Sequence, residues 1–520
     1  MEIQFNPFLV SSPKYLFLLF TFLILLVKIW KKAKPSSDHD ITPKLPPGPT
    51  KLPLVGNLHN LVVGGGHPHR VLASLAKKYG PLMHLQLGEI STVVVSSAKI
   101  AKEILVAHHP CFSNRPENQA TRIILYEQED MAFSPYSEYW KQMNKICMME
   151  LLSMKSVGSF RFIREDEISK LVESIIQSSS SPAGEPVNLT DKIFDYTSSV
   201  VCRAAFGRIC KNKDTMINNV KLVFSMLSGF NLADVFPSLK FLPVITGLKQ
   251  KLQEVHRQMD EVLEDVIKQH KANHEIGTKG NAESGDEDLI DVLLKQQESG
   301  NLQIPITTRN IKAVILDIFT AGTHTSSVTT EWSLSELMRH PEIMAKAQAE
   351  VRHVCKGKKT IEEDDIQNLK YLKMVIQETL RLHPPVPLIP RSSRENHEGN
   401  GCMIPEKSRV LVNFWAIGRD PEYWDEPEKF KPVRFDHKSF DYLGTQSEYM
   451  PFGTGRKMCP GITFGLASVE LSLANLIYHF DWRLPHGMKP NDLDMDEDFG
   501  LAAGRKTSLC LIGIPYHAYD

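Results

Sequence analysis

Through most of the chain the apolar positions fall three or four residues apart, the spacing that gives a helix one buried face. "HRVLASLAKKYG" (His69 to Gly80) reads as an amphipathic helix. The next two stretches, "LMHLQLG" and "TVVVSS", alternate or cluster β-branched residues and predict a hairpin. From about Pro135 to Lys295 the pattern is helical again, interrupted by polar, glycine-rich loops at Ser178–Pro186 and Gly277–Asp288. The longest helical signal starts after Pro305, with Thr307 or Thr308 as its cap, and ends at Arg339 before His340-Pro341. Ile311, Ile315, Ile318 and Phe319 form its apolar side. At roughly ten turns it far exceeds the average of about 11–12 residues, so it should run through the body of the protein. Shorter helices and strands follow, with one more strong helix in "ITFGLASVELSLANLIYHF". The predicted fold is mainly α with a small β part, and no internal repeat is present.

The N-terminus breaks this pattern. "YLFLLFTFLILLV" (Tyr15 to Val27) is uncharged, and with Phe5–Val10 upstream it approaches the ~20 residues of a membrane-spanning helix. Lys28, Lys31, Lys32 and Lys34 follow, with no small-residue cleavage site among them. We therefore expect a retained single-pass anchor whose lysines stay cytosolic. "KPSSDHDITPKLPPGP" (Lys34 to Pro49) is proline-rich and predicts a stiff extended spacer. The expected organisation is residues 1–33 as membrane anchor, 34–49 as hinge, and 50–520 as one catalytic domain.

Composition narrows the function classes. The chain has 520 residues, 42% of them hydrophobic, and a formal net charge of −1, so no global field attracts nucleic acid. Its eight cysteines include no CxxC pair, which speaks against a zinc module and a disulfide framework. One of them stands apart. Cys459 lies in "FGTGRKMCPG" (Phe452 to Gly461), on a glycine turn after two cations and directly ahead of a helix. Gly453 and Gly455 permit a sharp turn, and the helix dipole favours a deprotonated sulfur. Such a thiolate suits a metal, and haem iron in particular accepts one from a single side. A partly buried free cysteine is the alternative from this stretch alone.

Four separated motifs decide between them: "KLPPGP" (Lys44 to Pro49), "AGTHTS" (Ala321 to Ser326), "ETLR" (Glu378 to Arg381) and the cysteine loop, with "PVRF" (Pro432 to Phe435) before the last. In this order they resemble the cytochrome P-450 superfamily of haem-thiolate monooxygenases over nearly the whole chain. The hinge and "LHPPVPLIPR" resemble the plant microsomal group that oxidises terpenoids and alkaloids.

The resemblance implies a P-450 fold, with haem b held between the long central helix and the cysteine loop. It implies Cys459 as the iron ligand, with Trp140, Arg391, Lys457 and Phe452 holding the cofactor. Glu378, Arg381 and Arg434 would form a buried support behind the loop. Ala321 and Gly322 would open space over the iron and distort the helix, and Thr325 would manage protons. His324 stands where the family usually carries an acid. It is read either as a tolerated change or as altered proton delivery, which would bias the outcome toward desaturation or coupling. Asn144 replaces a haem-binding arginine of the family, with Lys141 or Lys145 as candidate substitutes. Lys457 likewise replaces an arginine. Ile123, Phe319, Val386, Leu388, Leu501 and Ala502 would line an apolar substrate pocket.

No GxGxxG follows a strand, so the chain lacks a nicotinamide or flavin domain of its own. NADPH would act through a membrane P-450 reductase, with cytochrome b5 as a second donor, at the endoplasmic reticulum. The substrate implied is a hydrophobic terpenoid or terpenoid indole alkaloid. Alternatives are net desaturation, coupling or dehydration at the same cofactor, and a non-catalytic haem protein.

Overall fold

The computed structural model describes residues 44–179, 185–209, 212–275, 287–436, 440–498 and 500–516. Among the described residues no helix is long and apolar enough to cross a membrane. The expected anchor, and the hinge as far as residue 43, lie outside them.

The β part is small, as the pattern predicts. β1 (Leu82–Leu87) and β2 (Ile90–Val95) form the hairpin, with Leu82 opposite Val95. Four further strands appear in other places: β3 (Val187–Asn188), β4 (Leu388–Ser392) and the β5–β6 hairpin (His397–Gly399 with Cys402–Ile404). β7 (Arg409–Asn413) runs parallel to β2 and antiparallel to β4, completing a sheet in the order β1-β2-β7-β4. β8 (Phe480–Arg483) and β9 (Cys510–Pro515) join β3 in a second sheet.

Residues 44–49 are not a free spacer. The His84 amide donates to the Pro47 carbonyl at 2.8 Å, and the Met403 amide to the Lys44 carbonyl at 3.0 Å. A Cβ at Gly48 would lie 2.0 Å from the His84 carbonyl oxygen, so only glycine lets this strap lie flat on β1. The expected boundary at 49/50 therefore falls inside a packed segment. Backbone pairing with a strand gives the proline run a place on the body, which its composition alone did not reveal.

The helices that matter for the site are α1 (Pro68–Tyr79), α2 (Gln119–Ile124), α3 (Glu138–Ile146), α4 (Leu189–Phe206), α5 (Lys213–Met226), α6 (Leu248–Glu275), α7 (Thr308–Arg339), α8 (Lys370–Leu382) and α9 (Ile462–His479). α7 is the predicted central helix. Thr307 and Asn310 cap each other's amides at its start, and His340 closes on the Glu336 carbonyl at its end. Its many hydroxyls survive burial by donating to carbonyls one turn back, as in Thr320 to Leu316, Thr330 to Ser326 and Ser333 to Thr329. The helix is continuous, so the distortion implied at Ala321-Gly322 is absent. A glycine inside a helix with regular hydrogen bonds on either side need not bend it.

Candidate functional site

Burial along α7 locates the site. Every residue from Asn310 to Thr320 is buried, and so is every one from Ser326 to Met338. Between them Ala321 is exposed, and Gly322, His324 and Thr325 are partly so. A helix through the core meets open space at that one turn. Thr325 donates its hydroxyl to the Ala321 carbonyl at 2.7 Å, which leaves the lone pairs of Oγ1 on the accessible side.

Gly322 serves a different purpose from the one implied. Its added Cβ would come within 3.2 Å of Val201 Cγ2, so its smallness admits α4 against the central helix. His324 points the same way. Its ring stacks on Phe224 of α5 at 4.4 Å and meets Phe194 of α4 edge-on at 5.8 Å. Burial, helped by the nearby Lys221 charge, pushes its pKa down to about 4, so the imidazole is neutral near pH 7.

The cysteine loop lies across the other side. Gly453 and Gly455 have φ of 76° and 74°, the left-handed conformation that glycine adopts without strain. A Cβ on Gly455 would sit 2.2 Å from the Leu105 carbonyl oxygen, so the loop is pressed flush on the 103–107 segment. The Cys459 amide donates to the Phe452 carbonyl at 3.0 Å, and the Gly465 amide to Gly461 at 2.8 Å starts α9. Burial raises the Cys459 thiol, while the Gly461 amide pulls in the other direction. A sulfur in this setting gives up its proton when a metal replaces it. A Cβ on Gly465 would lie 3.7 Å from Ser326 Oγ, so α9 passes close to α7 one residue beyond Thr325. Cys459 and Thr325 are thereby held to the same region. Phe452 is half-buried, with its ring edge-on to Tyr442 at 5.7 Å.

Behind the loop the expected support is complete. Arg381 forks onto Glu378 at 2.7 and 2.8 Å, and Arg434 Nε reaches the same carboxylate at 2.9 Å. Arg381 also donates to the carbonyls of Gly418, Pro427 and Lys429. Val433 is exposed and takes no part; its neighbour Arg434 carries the contact.

The test of whether haem fits lies in three basic side chains, Arg391 buried and Arg115 and Lys457 half-buried. Arg115, Arg391 and Lys457 influence one another electrostatically, and among the described residues none makes an ion pair. Arg115 donates to the carbonyls of Pro390 at 2.7 Å and Ala132 at 3.3 Å, and Arg391 to Pro390 at 3.3 Å. Lys457 donates to the Ser134 carbonyl and rides 4.8 Å above the Trp140 ring. Burial, reinforced by the two arginines, drags its pKa down to about 6; burial likewise lowers Arg115 to about 10. Two buried carboxyls, Asp130 and Asp317, act on Lys457, and Asp130 also on Arg115, but burial raises both carboxyls, so positive charge still prevails and calls for anions. The two propionates of a haem would supply them.

Trp140, buried on α3, donates its indole N–H to the Met131 carbonyl at 3.0 Å. Asn144 is half-buried and brings no charge. The proposed substitutes fail: Lys141 is exposed and paired with Glu138, and Lys145 is exposed. Arg115 brings a cation beside Arg391 and Lys457 instead, delivered by a β-bridge between Asn114 and Ser392 that no local signal announces. Sequence reasoning also missed Asp317. It accepts the Met131 and Ala132 amides at 2.7 and 2.9 Å and so ties the Trp140- and Lys457-binding loop to the central helix. Burial raises the Asp317 carboxyl to about 6, and burial beside Asp317 raises Asp130 as well.

The expected pocket residues divide. Phe319 is fully buried and stacks on Phe206 at 6.0 Å; Ile123, Leu501 and Ala502 belong to the same apolar cluster. The Leu501 amide donates to the Phe224 carbonyl at 2.8 Å and the Ala503 amide to Pro385 at 2.9 Å. These bonds bring the late turn, α5 and the half-buried Val386 segment together. Leu388 instead faces Leu72, Met83 and Leu411 within the sheet's own cluster. Phe224, which backs His324, is a pocket-wall residue that the sequence did not disclose.

Comparison with known proteins agrees with this geometry. The family model described as Cytochrome P450 matches residues 46–510. Premnaspirodiene oxygenase of Hyoscyamus muticus is 54% identical over 96% of this chain and 97% of its own length. 5-Epiaristolochene 1,3-dihydroxylase of Nicotiana tabacum is 51% identical over 96% and 97%. Desmethyl-deoxy-podophyllotoxin synthase of Sinopodophyllum hexandrum is 50% identical over 96% of each. Among solved structures, a zebrafish cytochrome P450 with abiraterone superposes with a TM-score of 0.72, covering 86% of this chain and 99% of its own at 24% identity.

Proposed function

Because the chain belongs to the cytochrome P450 family and is a haem monooxygenase, we propose that it oxygenates a terpenoid hydrocarbon of plant specialised metabolism, with electrons from NADPH through a membrane reductase. One observation carries the reading. A thiol loop and a trio of basic side chains without ion-pair partners among the described residues flank the only opening along the described central helix. When bound, the haem supplies the iron at which dioxygen is activated. Cys459 would hold it through sulfur, and Arg115, Arg391 and Lys457 would neutralise its carboxylates.

Thr325 Oγ1 handles the proton. Its hydrogen rests on the Ala321 carbonyl; turned away from it, the hydroxyl would give that hydrogen to the site while Oγ1 takes a replacement from water, ending as the same neutral hydroxyl. His324 contributes neither a negative charge nor a group that titrates near neutrality, which favours oxygen insertion over a diverted outcome. The apolar wall of Phe319, Leu501 and Ala502 offers dispersion and water exclusion to a substrate with few polar groups. The relatives named for premnaspirodiene and 5-epiaristolochene support the terpenoid class. Membrane attachment at the endoplasmic reticulum, with the catalytic body in the cytosol, completes the proposal and rests on the N-terminal apolar run and its lysines.

The test is product mass after incubating microsomes that contain the protein and a reductase with terpene hydrocarbons, NADPH and isotopic dioxygen. One labelled oxygen per product is expected. Loss of two hydrogens without label would assign desaturation, and no product across the panel would overturn the substrate class.

A further inference from the structure

Outside the haem site, Glu103, His108 and His397 bring one carboxylate oxygen and two imidazole nitrogens within 4.8 Å of one another. The placement follows from the backbone. The His108 amide donates to the Glu103 carbonyl at 2.9 Å, five residues back rather than four. On an ordinary helix, positions five apart diverge; the wider turn puts both side chains on one face, with Nε2 to Oε1 at 3.6 Å. His397 enters from β5, its ring 4.4 Å from that of His108 and edge-on to Phe112 at 5.1 Å. Gly399 leaves the room, since a Cβ there would lie 3.0 Å from His397 Nε2 and 3.5 Å from Glu103 Oε1. Asn400 donates to the second carboxylate oxygen of Glu103 at 3.2 Å, the outer contact that fixes a metal-ligating carboxylate.

We propose that Glu103, His108 and His397 form a second metal site, taking a borderline divalent cation of the zinc type with water in the remaining positions. Two imidazoles and a carboxylate suit such an ion and not calcium or magnesium, which prefer oxygen alone. A tetrahedral ion with bonds of about 2.1 Å separates its ligands by about 3.4 Å, close to the Glu103–His108 spacing. His108 is 41% exposed at its side chain, which gives the ion an entry path and the ring freedom to close the remaining distance. The other histidine–carboxylate trio, His270, Asp288 and Asp291, is buried and closed by a 2.7 Å hydrogen bond, too short to straddle an ion. The proposed site has a structural consequence as well. Leu105, within the clasped turn, is the residue whose carbonyl abuts Gly455 of the cysteine loop.

The experiment uses the full-length haem-loaded protein and zinc chloride in competition with a chromophoric zinc indicator. Parent protein should bind zinc, with calcium and magnesium ineffective. His108→Ala and His397→Ala should each weaken the site at least about tenfold, and Glu103→Gln should weaken it too. Hydrogen exchange should slow at residues 103–108 and 397–400 on adding zinc to parent and not to the double histidine variant. An unchanged carbon monoxide spectrum certifies that the variants are folded. Zinc binding of parental strength in the double variant, or no zinc binding by the parent, would overturn the proposal.

Discussion

Glu378→Gln tests the buried support on which the cysteine loop rests. Four donors aim at this carboxylate: Oε1 takes Arg381 Nη2, the Lys431 amide and Arg434 Nε at 2.8, 2.7 and 2.9 Å, and Oε2 takes Arg381 Nε at 2.7 Å. A glutamine oxygen can serve the first three, but its NH2 then confronts the Arg381 Nε–H. The substitution leaves two guanidinium groups without their counter-charge, one with a fully buried side chain and one only 12% exposed. Removing one partner of such a pair costs about 3–5 kcal/mol. The three carbonyl acceptors of Arg381 place the effect at the lower end. The assay is the unfolding free energy in urea together with the fraction of haem that keeps thiolate ligation under carbon monoxide. We expect a loss of about 3 kcal/mol and a reduced thiolate fraction, with Arg434→Lys losing about 1 kcal/mol because its charge remains. A Gln variant within about 0.5 kcal/mol of parent, the usual range for sites away from such features, would refute the account.

Arg115→Ala should speed haem loss to an apoprotein acceptor more than Lys145→Ala does, because only Arg115 joins the trio of basic side chains; equal rates would reject that assignment. Gly322→Ala should cost about 1–3 kcal/mol through overpacking against Val201, and Val201→Ala should recover part of it. Thermal midpoints of the two single variants and the double variant decide the matter, and additive losses would contradict the contact. Glu497 concerns pH. Burial would raise it, but the hydrogen bond from His69 and then the contact with Arg70 hold it at about 2. Burial keeps His69 itself low, so the imidazole donates largely as a neutral group and the stabilisation is on the order of 1–2 kcal/mol. A depressed carboxyl stabilises above its unfolded pKa of about 4.3, and the benefit fades as pH falls toward 2. Glu497→Gln should therefore flatten the loss of thermal midpoint between those limits, and parallel curves for variant and parent would contradict it.

Elements with a strong local pattern were legible in the sequence, and those made by distant pairing were not. The central helix ends at Arg339 as its pattern required, because cap, apolar stripe and His340-Pro341 agree within one window. The β1–β2 hairpin is legible for the same reason. β7 is not, since its place between β2 and β4 is decided by pairing across more than three hundred residues, where no local signal reaches. The prolines of the hinge spoke for an extended chain and were silent on what its described part, residues 44–49, lies against. Leu388 shows the same limit from another side. An apolar residue after "ETLRLHPP" can face either side of its strand, and here register turns it into the sheet's own core.

The haem-binding charges make the last step. Read position by position, the chain looks short of cation: Asn144 brings none, and Lys457 lacks the fork of an arginine. Read in space, the count is restored, because Arg115 arrives from a loop before α2 and donates to the same Pro390 carbonyl as Arg391. What the cofactor requires is positive potential at its carboxylates, and Coulomb's law does not specify which segment supplies it. A substitution at one motif position is therefore a statement about a site only after every element facing that site has been counted. The same arithmetic explains why Lys457 suffices. With two guanidinium groups beside it and its pKa lowered to about 6, the amine is largely neutral near pH 7 on its own; seated on the Ser134 carbonyl and the Trp140 face, it would gain its proton where anions bind beside it. Arg115 and Arg391 set the field and Asp317 fixes the loop that seats Trp140 and Lys457, so that a haem held through Cys459 would bring its carboxylates to positive potential.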